Sequence, residues 1–338
     1  MPVPVSNPPN PWQSVHVDWE GEPPPARLEV FEETARSILS ENDSPDVGFR
    51  FSANPYRGCY HGCAYCYARS SHQYLGFGAG TDFERKIVVK TNAVELLREA
   101  FDKPSWQGEV VALSGNTDCY QPLEASYRLT RGMLEVAAQY RNPVGIITKS
   151  SVIRRDVDVL SDLARDASVR VTLSIAFADD ETGRAMEPWA SPISRRFETV
   201  RVLADAGIPV GVSLAPLIPG LNDRMIPEIL QRAHDAGARH AFTTMLRLSG
   251  EVLPVFDERI EHALSAPLAK KVRAGIRELR GGAMNDSSFG ARMRGLGPRW
   301  QVVEDLFHAQ VRRLGMDGEG WSYLPSTFRR PSRQLDLF

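Results

Sequence analysis

Cys59, Cys63 and Cys66 stand in the run Asn54-Pro55-Tyr56-Arg57-Gly58-Cys59-Tyr60-His61-Gly62-Cys63-Ala64-Tyr65-Cys66-Tyr67, a C-x3-C-x2-C trio in a glycine-bearing loop. Thiolates are the standard protein ligands of iron–sulfur clusters, and Gly58 and Gly62 are expected to let backbone approach the sulfides where a Cβ would clash. A cubane has four irons, so three local cysteines leave one iron open, as catalytic metal sites generally require. The competing reading is structural zinc completed by His61 or His72, although zinc usually recruits a second, distant ligand pair. Four cysteines in 338 residues, three of them clustered, make a poor disulfide framework and favour metal chemistry.

Such a loop needs a scaffold that holds it. From Phe49 onward, short β-branched runs alternate with amphipathic helices, the pattern of repeated βα units around a parallel sheet. Strands are expected over Phe49–Pro55, Val110–Leu113, Val144–Lys149, Val169–Ala176, Pro209–Leu217 and Ala241–Leu248. Between the last two pairs the helices are well punctuated. Ser194 is expected to cap a helix with Phe197, Val200 and Leu203 on one face and Gly207 at its end. The next helix carries Ile226, Ile229, Leu230 and Ala233 on its apolar face, with Pro227 in its first turn and Gly237 after it. Six units give an α/β fold, a partial (β/α)6 TIM-like barrel, whose ligands collect at the carboxyl ends of the strands. Residues 1–48 read as a wrapping extension with one helical stretch, Leu28 to Leu39. The barrel spans 49–250, a helical C-terminal region 251–325, and a free tail 326–338.

Composition sets only broad bounds. A hydrophobic fraction of 42%, a charged fraction of 24% and a net charge of -2 describe an ordinary globular protein with no global bias toward nucleic acid or membrane. No apolar run approaches the roughly 18 residues that span a bilayer, and the Pro-rich start lacks the apolar stretch of a signal peptide. A cytoplasmic protein with no membrane partner is expected.

With an aromatic before its third cysteine, the motif resembles the signature of radical S-adenosylmethionine (SAM) enzymes. Ser44-Pro45-Asp46, Asn54 to Arg69, Asp82-Phe83-Glu84-Arg85-Lys86-Ile87, Ile147-Thr148-Lys149-Ser150 and Ala215 to Asp223 are similar to a bacterial group of that superfamily related to spore photoproduct lyase. The resemblance runs from about Ser44 to Leu314. It implies a [4Fe–4S] cluster on Cys59, Cys63 and Cys66, with SAM on the open iron cleaved by an electron from an external donor to a 5′-deoxyadenosyl radical. It places Tyr65 against the cofactor, Tyr67 just behind it, and Leu217 to Gly220 as a backbone surface for adenine. Thr117, Lys149 and Ser174 stand at the ends of successive strands, where hydroxyls can bond ribose and amino groups and a lysine can pair with the SAM carboxylate. Lys149 ends an apolar strand with a charge, which favours function, whereas Tyr67 and Ser174 read equally well as packing.

Cys119 lies in the small polar segment Ser114 to Pro122, where a thiol could return a hydrogen atom to product. The lyase uses such a cysteine in this loop, but aligning Thr117-Asp118 puts Gly115 at its position, four residues before Cys119. The rival reading makes Cys119 a small buried filler.

Two further features point toward DNA. Lys270 to Arg299 holds eight Lys or Arg against Glu278 and Asp286, an excess suited to phosphates or, alternatively, to a solvated helix face. The chain ends Gln334-Leu335-Asp336-Leu337-Phe338, which resembles the peptide by which bacterial polymerases and repair proteins dock on the DNA sliding clamp; Leu335, Leu337 and Phe338 would fill apolar pockets and Gln334 bond the rim. Three functions follow: a radical enzyme acting on damaged or modified nucleic acid, one acting on a protein or small molecule, or a non-enzymatic metal scaffold tethered to the clamp.

Overall fold

The computed structural model describes residues 27–318 and 326–331. Its strands are β1 (Glu29–Glu33), β2 (Leu39–Glu41), β3 (Phe51–Ala53), β4 (Tyr56–Arg57), β5 (Lys86–Lys90), β6 (Val111–Leu113), β7 (Val144–Thr148), β8 (Val169–Ser174), β9 (Val210–Leu217) and β10 (Ala241–Met245). The main sheet runs β10-β9-β8-β7-β6-β3-β2; its six barrel strands are parallel and adjacent in chain order, with β2 antiparallel on the outer edge of β3. Neighbouring parallel strands joined through helices curl into a barrel. Among the described residues β10 pairs with no strand but β9, so this barrel is partial. The open side is bridged by side chains instead. Arg292 pairs with Asp46 and donates to Ser44 Oγ at 2.6 Å, while Gly290 N–H donates to Asp46 Oδ1 at 2.8 Å.

The strands expected from Val110, Val144, Val169, Pro209 and Ala241 onward form within a few residues of their expected limits. The first one breaks: Phe49–Pro55 yields only β3, after which β4 turns away to pair antiparallel with β5. The expected helix from Leu28 to Leu39 is absent. Glu29–Glu33 forms β1 instead, in parallel register with Lys86–Lys90, and Phe31 packs on Phe77 at 5.4 Å. A free edge on β5 gives each of these five residues a partner, and that pairing overrides an amphipathic period.

The helices Ile193–Asp205 and Ile226–Asp235 bury the expected faces, Phe197, Val200 and Leu203 on one and Ile226, Ile229, Leu230 and Ala233 on the other. Each large aliphatic side chain so buried contributes about 1.5–3 kcal/mol. Ser194 is not the cap. It lies inside the first turn, where its N–H and hydroxyl both donate to Asp180, at 2.8 and 2.7 Å, so a carboxylate from outside the helix satisfies the helix start.

After the barrel come helices Val252–Ala263, Ala266–Leu279 and Gly297–Arg313. Ser326–Pro331 is not free. Phe328 stacks on Tyr140, Thr327 donates to Arg141 O at 2.7 Å, and Arg330 donates to the carbonyls of Phe101, Lys103 and Trp106. These partners precede β6 and β7, so the segment docks on the amino-terminal side of the barrel, opposite the strand ends that face the cysteines. Gln334 to Phe338 lie outside the described residues. No described helix is long and apolar enough to cross a membrane.

Candidate functional site

The cysteine loop leaves β4 and is pinned at both ends. Cys59 N–H donates to Phe83 O at 2.9 Å, Ala64 N–H to Met186 O at 2.9 Å, and Tyr60 N–H to Gln121 Oε1 at 3.0 Å. Beneath it, the fully buried Arg69 donates from Nε and Nη2 to Cys63 O and from Nη1 to the carbonyls of Ala79 and Gly80, and pairs with Glu84 at 2.6 Å. Gly58 and Gly62 have φ of +76° and +63°, as required of glycine in such a turn. Their neighbours, however, are protein: a Cβ on Gly58 would meet His72, Lys86 O and Phe83 O within 3.0 Å, and one on Gly62 would meet Glu84 and Trp189.

All three thiols are unpaired by disulfides, and Cys59 and Cys63 are buried. Burial pushes the Cys63 thiol up, Lys149 opposing, and burial together with Cys59 pushes Cys66 up. Among the described residues no three His, Cys, Asp or Glu side chains converge on a point that one ion could share. A lone zinc would need donors about 2 Å from one centre, whereas a cubane spreads its cysteines over separate irons. His61, the nearer histidine of the zinc reading, is occupied: its Nδ1 lies 3.3 Å from Asp118, which together with Cys59 raises its pKa to about 9 against the opposing effect of burial. The trio therefore fits a cluster better than zinc.

Asp118 is a hub that sequence reasoning passed over. It accepts from Thr148 Oγ1 at 2.7 Å, Lys149 N–H at 2.8 Å and Tyr120 N–H at 2.9 Å, so it ties the loop after β6 to the end of β7. Despite burial, His61 and these donors lower its pKa to about 2. Asn54, oriented by its partners, holds the same loop through Thr117 O, Thr117 N–H and Asn116 N–H at 3.0–3.2 Å.

Of the residues expected around SAM, Thr117, Lys149 and Ser174 all stand at or just beyond the carboxyl ends of β6, β7 and β8. Thr117 Oγ1 is buried with no partner among the described residues, an orphaned hydroxyl of the kind a bound ligand satisfies. Lys149 is half-buried with its Nζ 5.8 Å from the centre of the Tyr65 ring; burial disfavours its charge, but Cys63 and Glu187 outweigh that and hold it cationic. Tyr65 is buried and donates to Glu187, which pairs with Arg196 at 2.5 Å, and Arg196 in turn donates to Ser174 O at 2.9 Å. Tyr67 is 54% exposed, with its hydroxyl donating to Gly115 O, so it is no core aromatic.

Two expectations meet a different geometry. Leu217 to Gly220 has little backbone to spare: Leu217 O accepts from Leu246 N–H, Ile218 N–H donates to Asn222, and Gly220 N–H donates to Asp223. Cys119 is 0% exposed within the main apolar core, its N–H bonded to Ser114 Oγ and its carbonyl to Thr130 Oγ1, and burial pushes its thiol far up.

The basic segment is largely spoken for. Arg273 pairs with Asp257, Arg292 with Asp46, and Arg299 with Asp223 and Glu278, while Arg280 donates to the carbonyls of Leu246, Ala291, Arg292 and Arg294. Lys270, Lys271, Arg277 and Arg294 remain exposed. Arg280 clamps the 285–297 loop over the end of β10. There Phe289 is 64% exposed with the Arg292 guanidinium 4.2 Å above its ring, and Arg247 Nε is buried without a partner among the described residues.

"Uncharacterized protein Rv2578c" of Mycobacterium tuberculosis is 38% identical over 204 residues, 60% of each chain, so the chain matches about three fifths of that relative's length. An uncharacterised protein of Methanocaldococcus jannaschii is 27% identical over 198 residues, 59% of this chain and 71% of that one. In fold, spore photoproduct lyase complexed with dinucleoside spore photoproduct superposes with a TM-score of 0.60 at 14% identity, covering 84% of this chain and 79% of that one. A mutant of that lyase with bound AdoMet and the same dinucleoside gives 0.59 at 14% identity and the same coverage. The model of the radical SAM superfamily matches residues 53–233, more than half of the sequence and all of the cysteine loop, and the chain belongs to that superfamily.

Proposed function

We propose that this radical SAM enzyme takes hydrogen from a nucleotide of damaged or modified DNA, in a repair-like role related to that of spore photoproduct lyase. Its cofactors are a [4Fe–4S] cluster and SAM, which when bound supply a 5′-deoxyadenosyl radical. Cys59, Cys63 and Cys66 hold the cluster. Lys149 pairs with the SAM carboxylate and Thr117 Oγ1 bonds its polar groups, while Tyr65, fixed by Glu187 and Arg196, walls the cofactor from solvent. Asp118 keeps the loops after β6 and β7 in register, so these groups converge. Cys119, sealed in the core, is assigned to packing; hydrogen return through a thiol is not part of the reading.

The observation that carries the nucleic-acid reading is the Phe289–Arg292 pair close to Arg247, whose Nε is buried without a hydrogen-bond partner among the described residues, and to exposed Tyr67. An exposed ring backed by a guanidinium is a stacking platform for a base, and a nearby guanidinium with an unsatisfied Nε suits a phosphate. The test is isotopic: with SAM, dithionite and an oligonucleotide deuterated in its sugars and bases, deuterium is expected to appear in 5′-deoxyadenosine. Formation of 5′-deoxyadenosine with no deuterium from any single-stranded, duplex or lesion-bearing oligonucleotide would move the reaction to another substrate class.

Delivery to DNA is assigned to the terminal pentapeptide, Gln334, Leu335, Asp336, Leu337 and Phe338, acting on the sliding clamp. Ser326–Pro331, the described residues that precede it, dock on the amino-terminal side of the barrel. Deleting 334–338 is expected to abolish binding to the clamp and leave SAM cleavage intact; equal clamp binding by the truncated protein refutes the assignment.

A further inference from the structure

The cysteine loop rests among more buried positive charge than the surrounding protein neutralises. Glu84 is committed to Arg69 at 2.6 Å. Arg259, from the helix Val252–Ala263, reaches the same carboxylate oxygen only at 3.7 Å, and its Nε and Nη2 are buried without a hydrogen-bond partner among the described residues. Arg85 is 4% exposed. Its guanidinium lies between the rings of Tyr60 and Trp189, 4.6 and 4.9 Å from their centres, its Nη2 is likewise unpartnered, and no described carboxylate forms an ion pair with it. Arg69 and Arg259 therefore share Glu84, with Glu258 also favouring the Arg259 charge, while Arg85 has no ion-pair partner among the described residues.

A guanidinium does not lose its proton at any ordinary pH, and a buried unpaired charge is strongly unfavourable. The loop is placed to supply an anion that offsets this excess. Tyr60 follows Cys59 directly, and Cys63, after Glu84 and Glu258, is among the groups whose negative charge favours the Arg259 cation against burial. Thiolates gathered on a cluster supply that anion, and reduction adds one more negative charge to it. In a low-dielectric site, a fixed cation stabilises the reduced form more than the oxidised one, and net charge near the cluster is a main determinant of its potential.

We propose that Arg85 and Arg259 are positioning charges that set how readily the [4Fe–4S] cluster accepts its electron. One electron enters from the external reductant, and no bond forms or breaks in this step.

The test uses the full chain, reconstituted anaerobically and titrated with dithionite in the absence of substrate, with the reduced cluster followed by electron paramagnetic resonance. Arg259→Gln is expected to lower the equilibrium constant for reduction at least tenfold, about 59 mV for a one-electron couple. Arg259→Lys, which keeps the charge, is expected to stay within about threefold of wild type. A wild-type potential in Arg259→Gln overturns the proposal, as does a fall in Arg259→Lys equal to that in Arg259→Gln, because shape rather than charge would then be at work. If Arg259→Gln fails to hold iron, Arg85→Met decides in its place: a tenfold or greater fall supports the proposal, and an unchanged potential overturns it.

Discussion

Replacing Cys63 with Ala is expected to remove the cluster and bring 5′-deoxyadenosine formation down to background, with little change in the fold. The two halves of that result have separate causes. In the proposed cluster each thiolate would bind its own iron, so loss of one would leave a second iron without a protein ligand and the cluster without its third anchor. The backbone around Cys63, in contrast, is held by groups the substitution does not touch, since Arg69 bonds the Cys63 carbonyl and Ala64 N–H bonds Met186 O. A buried free cysteine packs as a small hydrophobe, so its truncation costs on the order of 1 kcal/mol. Iron and sulfide content, visible absorption and thermal unfolding of the reconstituted variant check the expectation. Retained iron with undiminished SAM cleavage would show that Cys63 is not a ligand, and one tightly bound zinc in the wild type would revive the structural-metal reading.

The cysteine trio stood out because ligand chemistry constrains both residue type and spacing within one short loop. The barrel was legible for a related reason: β-branched runs and 3.6-residue faces are local patterns, and they gave the strands at Val144, Val169 and Pro209 within a few residues. What sequence could not give were partners distant along the chain. Glu84, Glu187 and Arg196 are buried, and Asp118 nearly so, because another segment supplies each counter-charge, and nothing in their flanking residues announces it. Arg69 and Glu84 are only fifteen positions apart, but nothing in their order says that one lies under the cysteines. The β1 error has the same origin. Glu29–Glu33 is a strand because β5 offers an edge, a fact absent from the segment's own residues.

Side-chain direction was only partly legible. The polar loop left Cys119 open between a thiol facing the cavity and a small buried filler, and gave no direction for Asp118. Asp118 does bond the loop after β7, while Cys119 turns into the apolar core. Tyr65 and Tyr67 show the same alternation on a smaller scale, one buried against Glu187 and the other exposed at the mouth.

Lys149 tests whether the remaining direction, toward SAM, was read correctly. Its charge persists in a partly desolvated setting because Cys63 and Glu187 favour it, and Glu187 already has a second cationic partner in Arg196. Removing the lysine therefore strands no carboxylate, and Lys149→Met is expected to leave folding and iron content near wild type. The loss should fall on SAM. A hydrogen bond to a charged group contributes about 1.5–3 kcal/mol, so the KM for SAM should rise roughly 10- to 150-fold. Lys149→Arg keeps the charge but replaces a compact ammonium with a planar fork, and should recover only part of the affinity. SAM binding to the reconstituted variant, measured without reductant so that turnover does not interfere, separates this from a redox effect: unchanged SAM affinity in Lys149→Met would take the carboxylate away from Lys149.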